Sequence, residues 1–440
     1  MTALEVRDAV QRAASYGHAV VSFVGGDGYP VSVAGPFTAD AESGTVEVGP
    51  LSEELLPEPG QEVCLLFSHI RPQPGVGYDE RRYVNLWGPA EVAGGRLRVR
   101  AVRATGWDES EVPFFEYAER SVGTGRSYLD RIGRRPRLSA GWTFLLATRL
   151  PFLTATLVPI ALGGAVAARD RAFGWGWFLL SLLAGCAVHL GLNIVNDLAD
   201  DASGADAANV TPTPYSGGSR VIQYGLVSRR GMITLALALY AVAVAVGVTL
   251  AATRSWWLLL IGVVAVILSV EYTAPPLRLV HRGLGEPVVA AGFGPIMAVG
   301  TYLAVTRQWS WEAFWISLPV GLLCALILYV NQVPDRQADA KVGKRTLVVR
   351  WPPQRVIAVY AATVALSFAL VVAYVLVGLT PAWTLLALLA LPFAVRTVRG
   401  LRRFYGQPFA LIPTLGANIT LHLATGLLLL TGYLLDLLLR

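Results

Sequence analysis

Carboxylates in an otherwise apolar text mark where chemistry can occur. After residue 141 the chain holds only 11 Asp and Glu residues, and six of them (Asp197, Asp200, Asp201, Asp206, Asp335, Asp339) fall in two short stretches. Carboxylates beside an apolar core are costly and usually functional. In the first stretch, N193-I-V-N-D197-L-A-D-D201, the residues Asn193, Asp197 and Asp201 are spaced i, i+4, i+8. On a helix each step turns by about 40°, so they form one polar stripe. Asp200 borders that stripe. The second stretch, D335-R-Q-A-D339, repeats the spacing, and Asn331 extends it upstream. Two facing Asp pairs, each able to bridge a divalent cation, would seat a polyanion such as a diphosphate. Mg²⁺ suits them, since it takes oxygen ligands and binds through a few carboxylates plus substrate phosphates. A single such pair reads equally well as helix-end solvation; two at equivalent helix ends argue for a site.

Cations flank both stretches. Arg220, Lys341, Lys344 and Arg345 are candidates to hold a diphosphate, and Arg forks match phosphate oxygens bidentately. Lys341 and Lys344 are the only lysines in the chain. Arg serves every other basic role, so a compact ammonium is singled out just after the second Asp motif. Gly217 and Gly218 beside Arg220 would let backbone N–H groups approach a phosphate, or simply make the loop flexible. Arg149 either snorkels to headgroups or faces a cavity. His189, four residues before Asn193, lies on the same face but deeper.

The elements that position these residues are membrane helices. The 440 residues are 54% apolar and 15% charged, with mean hydropathy +0.52, which excludes a disordered chain and an entirely soluble one. Three cysteines build no disulfide framework. Residues 1–140 carry a net charge of −4 and residues 141–440 carry +10, so two chemically different bodies share one chain. Apolar runs predict about nine spans at 146–168, 174–196, 231–252, 255–271, 285–305, 312–332, 355–378, 380–396 and 410–437. The expected fold class is therefore an all-α polytopic membrane protein with an N-terminal soluble domain. Basic loops alternate with nearly uncharged ones; the basic side, including Arg134, Arg135, Arg137, Arg278, Arg282, Arg336 and Arg396, is expected to be cytoplasmic. That places the N-terminal domain in the cytoplasm of a cell whose plasma membrane holds the rest. No aromatic-interleaved basic patch points to nucleic acid.

Residues 1–130 read as a small domain, with 131–141 a basic linker to the membrane domain 142–440. A helix is expected at Leu4–Tyr16. Strands are expected at His18–Val24, Pro30–Pro36, Thr45–Val48, Glu62–Phe67, Tyr83–Val92 and Arg96–Arg103, with turns at G25-G-D-G28 and A93-G-G95. Residues 71–81 read as a plain loop, and Gly88-Pro89 as a bulge or edge. A helix is expected at Phe114–Arg131. Short strands at this spacing indicate a barrel. Their order resembles the split β-barrel of the pyridoxamine 5′-phosphate oxidase-like flavin-binding proteins. That resemblance implies FMN or a related flavin, with Arg71, Arg81 and Arg82 as candidates for its phosphate; docking, dimerisation or regulation is the alternative role.

The membrane half resembles the UbiA superfamily of intramembrane prenyltransferases, over about 142–437. The resemblance rests on N-D-x-x-D (Asn196, Asp197, Asp200) after the second span and D-x-x-x-D after the sixth. Arg149-Leu150-Pro151, Y272-T-A-P-P-L-R278 and G283-L-G-E286 agree with it. D335-R-Q-A-D339-A-K341-V-G343-K344-R345-T346 and T213-P-Y-S-G-G-S-R220 resemble the branch that prenylates 1,4-dihydroxy-2-naphthoate in menaquinone synthesis. The family's first motif often carries one more Asp, at the position of Gly204; Asp201 or Asp206 would substitute. The resemblance implies a polyprenyl diphosphate donor held by Mg²⁺ and an aromatic acceptor in the bilayer. Asp197, Asp335 and Asp339 would bind the metal with Asn193 assisting, and Asp200 and Asp201 compete for the remaining place. Tyr272 would lie near the allylic carbon. His189 would contact the acceptor or pack across helices. Other acceptors, a membrane-anchored flavin oxidoreductase and a transporter are the rival readings. A transporter would place its charges at the bilayer midplane, whereas these lie at one face.

Overall fold

The computed structural model describes residues 2–73, 77–134 and 138–439. The chain divides into two compact units, Met1–Gly125 and Arg126–Arg440. Arg135 and Arg137 of the basic linker, and residues 74–76 of the stretch read as a loop, lie outside the described residues.

The first unit is an antiparallel sheet: β1 (Thr2–Leu4), β2 (Ala19–Val24), β3 (Pro30–Gly35), β4 (Phe37–Asp40), β5 (Thr45–Val48), β6 (Glu62–Gln73), β7 (Gly77–Ala93), β8 (Arg96–Arg100) and β9 (Arg103–Asp108). The order is β3-β2-β6-β7-β8-β5-β4, with β9 joining β7 to β1. Alternating Val21, Val46, Leu65, Phe67, Leu86, Leu97 and Val99 form its core, covered by Ala9, Val10 and Ala13 of α1 (Val6–Ala13).

Four expectations change here. The first helix is shorter than Leu4–Tyr16, because residues 2–4 pair with Ala104–Gly106 as a strand instead. The run 96–103 splits into two strands, since Ala101 and Val102 turn their N–H groups to Gly44 and Trp87 carbonyls. Residues 71–73 and 77–81 are strand rather than loop: β6 and β7 continue past a register shift between His69 and Arg71, and Arg71 Nε donates to Asp79 Oδ1 at 2.9 Å across the pair. Gly88 lies inside a central strand, not at an edge. There β7 passes from β9 to β8, and a Cβ at Gly88 would strike the Arg100 carbonyl. Helix α2 (Phe114–Arg131) follows.

In the second unit the helices are α3 (Leu150–Arg169), α4 (Trp175–Ser203), α5 (Arg229–Thr253), α6 (Trp257–Glu271), α7 (Gly285–Thr306), α8 (Trp311–Lys341), α9 (Pro353–Leu376), α10 (Ala382–Phe404) and α11 (Ile412–Leu439). Among the described residues eight are long and apolar enough to cross a membrane; α6, with 15 residues, is shorter. The span expected at 146–168 is not continuous. A separate helix, Ala140–Ala147, ends before Arg149, whose φ of +52° breaks the path, and Pro151 restarts it.

The long helix α8 is central. Its Ile316, Val320, Leu323, Leu326, Tyr329 and Val330 are buried against α3, α9 and α11. It meets α7 backbone to backbone: Gly294, in a kink with non-helical φ/ψ before Pro295, faces Gly321. At one end of the bundle Arg169 of α3 ion-pairs with Glu312 of α8, and Tyr433 of α11 donates to Glu312 at 2.7 Å. At the other end of α3 and α8 lie Arg149 and the second Asp motif.

A Cβ at Gly321 would strike the Ala290 carbonyl, whereas Gly262 has open space around it. Gly321→Val is therefore expected to cost ~1–3 kcal/mol of stability by overpacking. Gly262→Ala should leave the thermal unfolding midpoint in detergent nearly unchanged.

Candidate active site

The ends of α4 and α8 face one cavity of about 180 Å³. From α4 it receives Asn193, Asn196 and Asp200; from α8, Asn331, Asp335 and Asp339. Arg149, Tyr272, Lys344 and the loop after α4, through Asp206, Asn209, Gly217 and Gly218, close it.

Each buried carboxylate has a defined partner, as burial requires. Asp197, 2% exposed, ion-pairs with Arg149 and accepts from the Ser219 N–H at 3.2 Å. Asp335 accepts from Asn209 Nδ2 at 2.8 Å and from the Gly217 N–H at 3.0 Å. Both oxygens of Asp200 accept from Lys344 Nζ at 3.0 Å, and Asp339 Oδ1 lies 3.6 Å from the same ammonium. Burial opposes the Lys344 charge, but Asp200 and Asp339 outweigh it and hold its pKa above the ordinary lysine value. Asp206 accepts from Gln223 Nε2 at 3.1 Å. Burial, with the Asp200 and Asp197 charges nearby, pushes its carboxyl up to about 8.

The loop 204–228 thus straps both Asp motifs, and its backbone explains its glycines. Gly217 and Gly218 have φ of +79° and +77°. A Cβ on Gly218 would meet Asp206 Oδ1 at 2.9 Å, so only glycine admits that carboxylate. Arg149 and Arg220 also sit in the left-handed region, at φ +52° and +60°. Non-glycine residues held there cost ~1–3 kcal/mol each and cluster at functional sites.

The structure sorts the candidates. Asp200 lines the cavity directly, while Asp197 stands behind Arg149, which does line it, and Asp201 faces away, accepting from Gln223 at 3.2 Å and lying 3.9 Å from Arg229. Lys344 is buried, whereas Lys341 and Arg345 are exposed. Arg220 is buried but its fork faces loop carbonyls, donating to Asp206 O and, at 3.4 Å, to Asn209 O. Asn193 lines the cavity and donates to the Thr148 carbonyl at 2.9 Å. Sequence reading missed Asn209 and Gln223. They stand in an irregular loop, where no periodicity assigns a face.

His189 is buried, with Nδ1 2.7 Å from Thr156 Oγ1 and its ring edge-on to Phe293. It stands at the neck between this cavity and a second one of about 360 Å³. The second is apolar, bounded by α4, α5, α6 and α7 through residues such as Val188, Gly247, Ile261 and Val266. Tyr272, Leu192, Val289 and Phe293 line both.

Among the described residues no three His, Cys, Asp or Glu side chains converge tightly enough to hold a metal ion. The side chains of the two Asp motifs nevertheless fit a hard divalent cation in kind, since they offer carboxylate and amide oxygens. Asp200 and Asp339, one from each motif, already share a cation, the Lys344 ammonium. In the first unit two of the three arginines offered to a flavin phosphate are held in ion pairs. Arg71 pairs with Asp79 and Glu80, Arg81 with Glu109, and Arg82 lies over the Tyr16 ring.

A bundle of apolar helices with two Asp motifs at one cavity defines an integral membrane protein with an acidic site at one end of its helices. Residues 156–412 match the UbiA prenyltransferase family, and the chain belongs to that family of enzymes that transfer prenyl groups. It is 28% identical over 262 residues to the 1,4-dihydroxy-2-naphthoate octaprenyltransferase of Bacillus subtilis, covering 60% of this chain and 83% of that one. It is also 28% identical over 291 residues to the 2-carboxy-1,4-naphthoquinone phytyltransferase of Synechocystis, covering 66% and 92%. A solved UbiA homolog from Archaeoglobus fulgidus, bound to DMAPP and Mg²⁺, aligns at 17% identity with a TM-score of 0.47 over 66% of this chain and 99% of that one.

Arg149→Met should cost ~3–5 kcal/mol, because it leaves the Asp197 charge buried without its partner. Adding Asp197→Asn should recover part of that loss. A double-mutant cycle by thermal unfolding is expected to give a coupling of ~1–3 kcal/mol.

Proposed function

We propose that this chain transfers a polyprenyl group from its diphosphate to 1,4-dihydroxy-2-naphthoate, in the plasma membrane, with the Asp motifs on the cytoplasmic side. The observation that carries this reading is a pair of adjoining cavities with shared lining residues. One is walled by carboxylates and amides, the other is apolar, and they meet at Tyr272, His189 and Phe293. A prenyl diphosphate has the same two-part chemistry. The naphthoate acceptor is favoured by the names of the relatives from Bacillus subtilis and Synechocystis.

Asp197, Asp200, Asp335 and Asp339, with Asn193 oxygen, would hold Mg²⁺, which when bound supplies positive charge for the leaving diphosphate. Arg149 adds fixed cationic charge at that end of the cavity. Lys341 and Arg345, exposed next to it, would attract the diphosphate on its way in. Arg220 would act indirectly, holding the 206–209 loop in place. The apolar cavity excludes water from the allylic end. The carbon–oxygen bond breaks with its electron pair leaving on diphosphate. The electron-rich acceptor ring then attacks the allylic cation, and loss of CO₂ restores aromaticity. Tyr272, buried at the junction, would face the allylic carbon, and His189 the acceptor side.

Purified protein in detergent, given Mg²⁺, a long-chain prenyl diphosphate and 1,4-dihydroxy-2-naphthoate, should yield a prenylated naphthoquinol-type product by mass spectrometry. Asp197→Ala and Asp335→Ala should lower turnover by on the order of a hundredfold or more, and a chelator should abolish it. Turnover with a different aromatic acceptor only would reassign the substrate. No diphosphate consumption with any acceptor would sink the reading.

A further inference from the structure

Lys344 is the residue whose placement the proposed reaction does not account for. It is 8% exposed, and its ammonium bridges Asp200 of α4 and Asp339 of α8, one carboxylate from each Asp motif. The backbone sets this geometry. Gly343, at φ +76°, ends α8, and the Lys344 N–H donates to the Asp339 carbonyl at 2.9 Å. The chain therefore folds back, and the side chain of Lys344 returns to the cavity while those of Lys341 and Arg345 remain outside. Thr346 then caps the short helix Leu347–Arg350, fixing the far side of the turn.

A divalent ion spanning the two motifs needs the oxygens that Lys344 now holds. An ammonium and a divalent ion drawn to the same carboxylates repel each other, so the two cations compete. The four-carbon stem of lysine lets its head move without moving the backbone, which a planar arginine fork does less readily. We propose that Lys344 is a resident counter-cation, which holds the two Asp motifs together and exchanges with Mg²⁺ for Asp200 and Asp339. The displaced ammonium stays in the same cavity, where the diphosphate arrives. This inference rests on the metal reading above and goes beyond it. It assigns Lys344 a positioning role that opposes metal binding, where a plain supporting residue would favour it.

The test uses the full chain in detergent with Mg²⁺ alone and no diphosphate. Thermal unfolding and isothermal titration would compare wild type with Lys344→Met and with Lys344→Gln, which keeps hydrogen-bond donors but no charge. In chelator, Lys344→Met should unfold at a lower temperature than wild type. On titration it should bind Mg²⁺ about tenfold more tightly, since its competitor is gone. Lys344→Gln carries the same expectation should the Met variant not fold. Equal or weaker Mg²⁺ binding by the variants, with clear binding by wild type, would overturn the exchange while leaving the metal reading intact. No Mg²⁺ binding by any form would overturn both.

Discussion

Every part of the membrane half answers to one electrostatic constraint: carboxylates held at the end of an apolar bundle must be compensated. Isolated charges there would cost several kcal/mol apiece even after relaxation. Here the Asp motifs are compensated by three different devices. Asp197 has a guanidinium, Asp335 an amide and a backbone N–H, and Asp200 and Asp339 a common ammonium. The left-handed Arg149, the glycine pair at 217–218 and the fold-back at Gly343 are all backbone features that bring these partners in.

That compensation also gives the cavity its polarity. Its acidic wall is built from α4 and α8, and α8 is tied at its far end to α3 by the ion pair of Glu312 with Arg169. The glycine-mediated contact of α7 on α8 brings Phe293 to the neck, beside His189. A polar chamber and an apolar one thereby lie side by side, with a few aromatic side chains lining both. The arrangement suits a ligand with a charged head and a hydrocarbon tail, and separates the two ends before any chemistry begins.

The first unit follows a different logic. Its charges lie largely in surface ion pairs across strands, such as Arg71 with Asp79 and Arg96 with Glu47. Exposed pairs of this kind contribute little to stability. Its stability comes from the alternating Val, Leu and Phe positions of the sheet under α1. The spent arginines weaken the case for phosphate binding on that side of the domain, and the long β6–β7 hairpin replaces the loop that its Pro and Gly content implied.

The helices, the two Asp motifs and most strands were legible in the sequence, because each repeats with a fixed period: 3.6 residues along apolar spans, four between the carboxylates, two in the sheet. Turn glycines at 25–28 and 93–95 were equally direct. What the sequence by itself determined was therefore the set of elements and the chemistry they could carry. The tertiary structure alone decided which of two neighbours faces the site. Asp200 and Asp201 flank the stripe of Asp197 almost equally, and only the approach of Lys344 separates them. Lys341 and Lys344 differ because a left-handed glycine between them reverses the chain. Arg220, Asn209 and Gln223 sit in a loop without periodicity, where direction is set by contacts to residues more than a hundred positions away in the case of Asn209 and Asp335. Local spacing encodes a face; long-range packing chooses what the face meets.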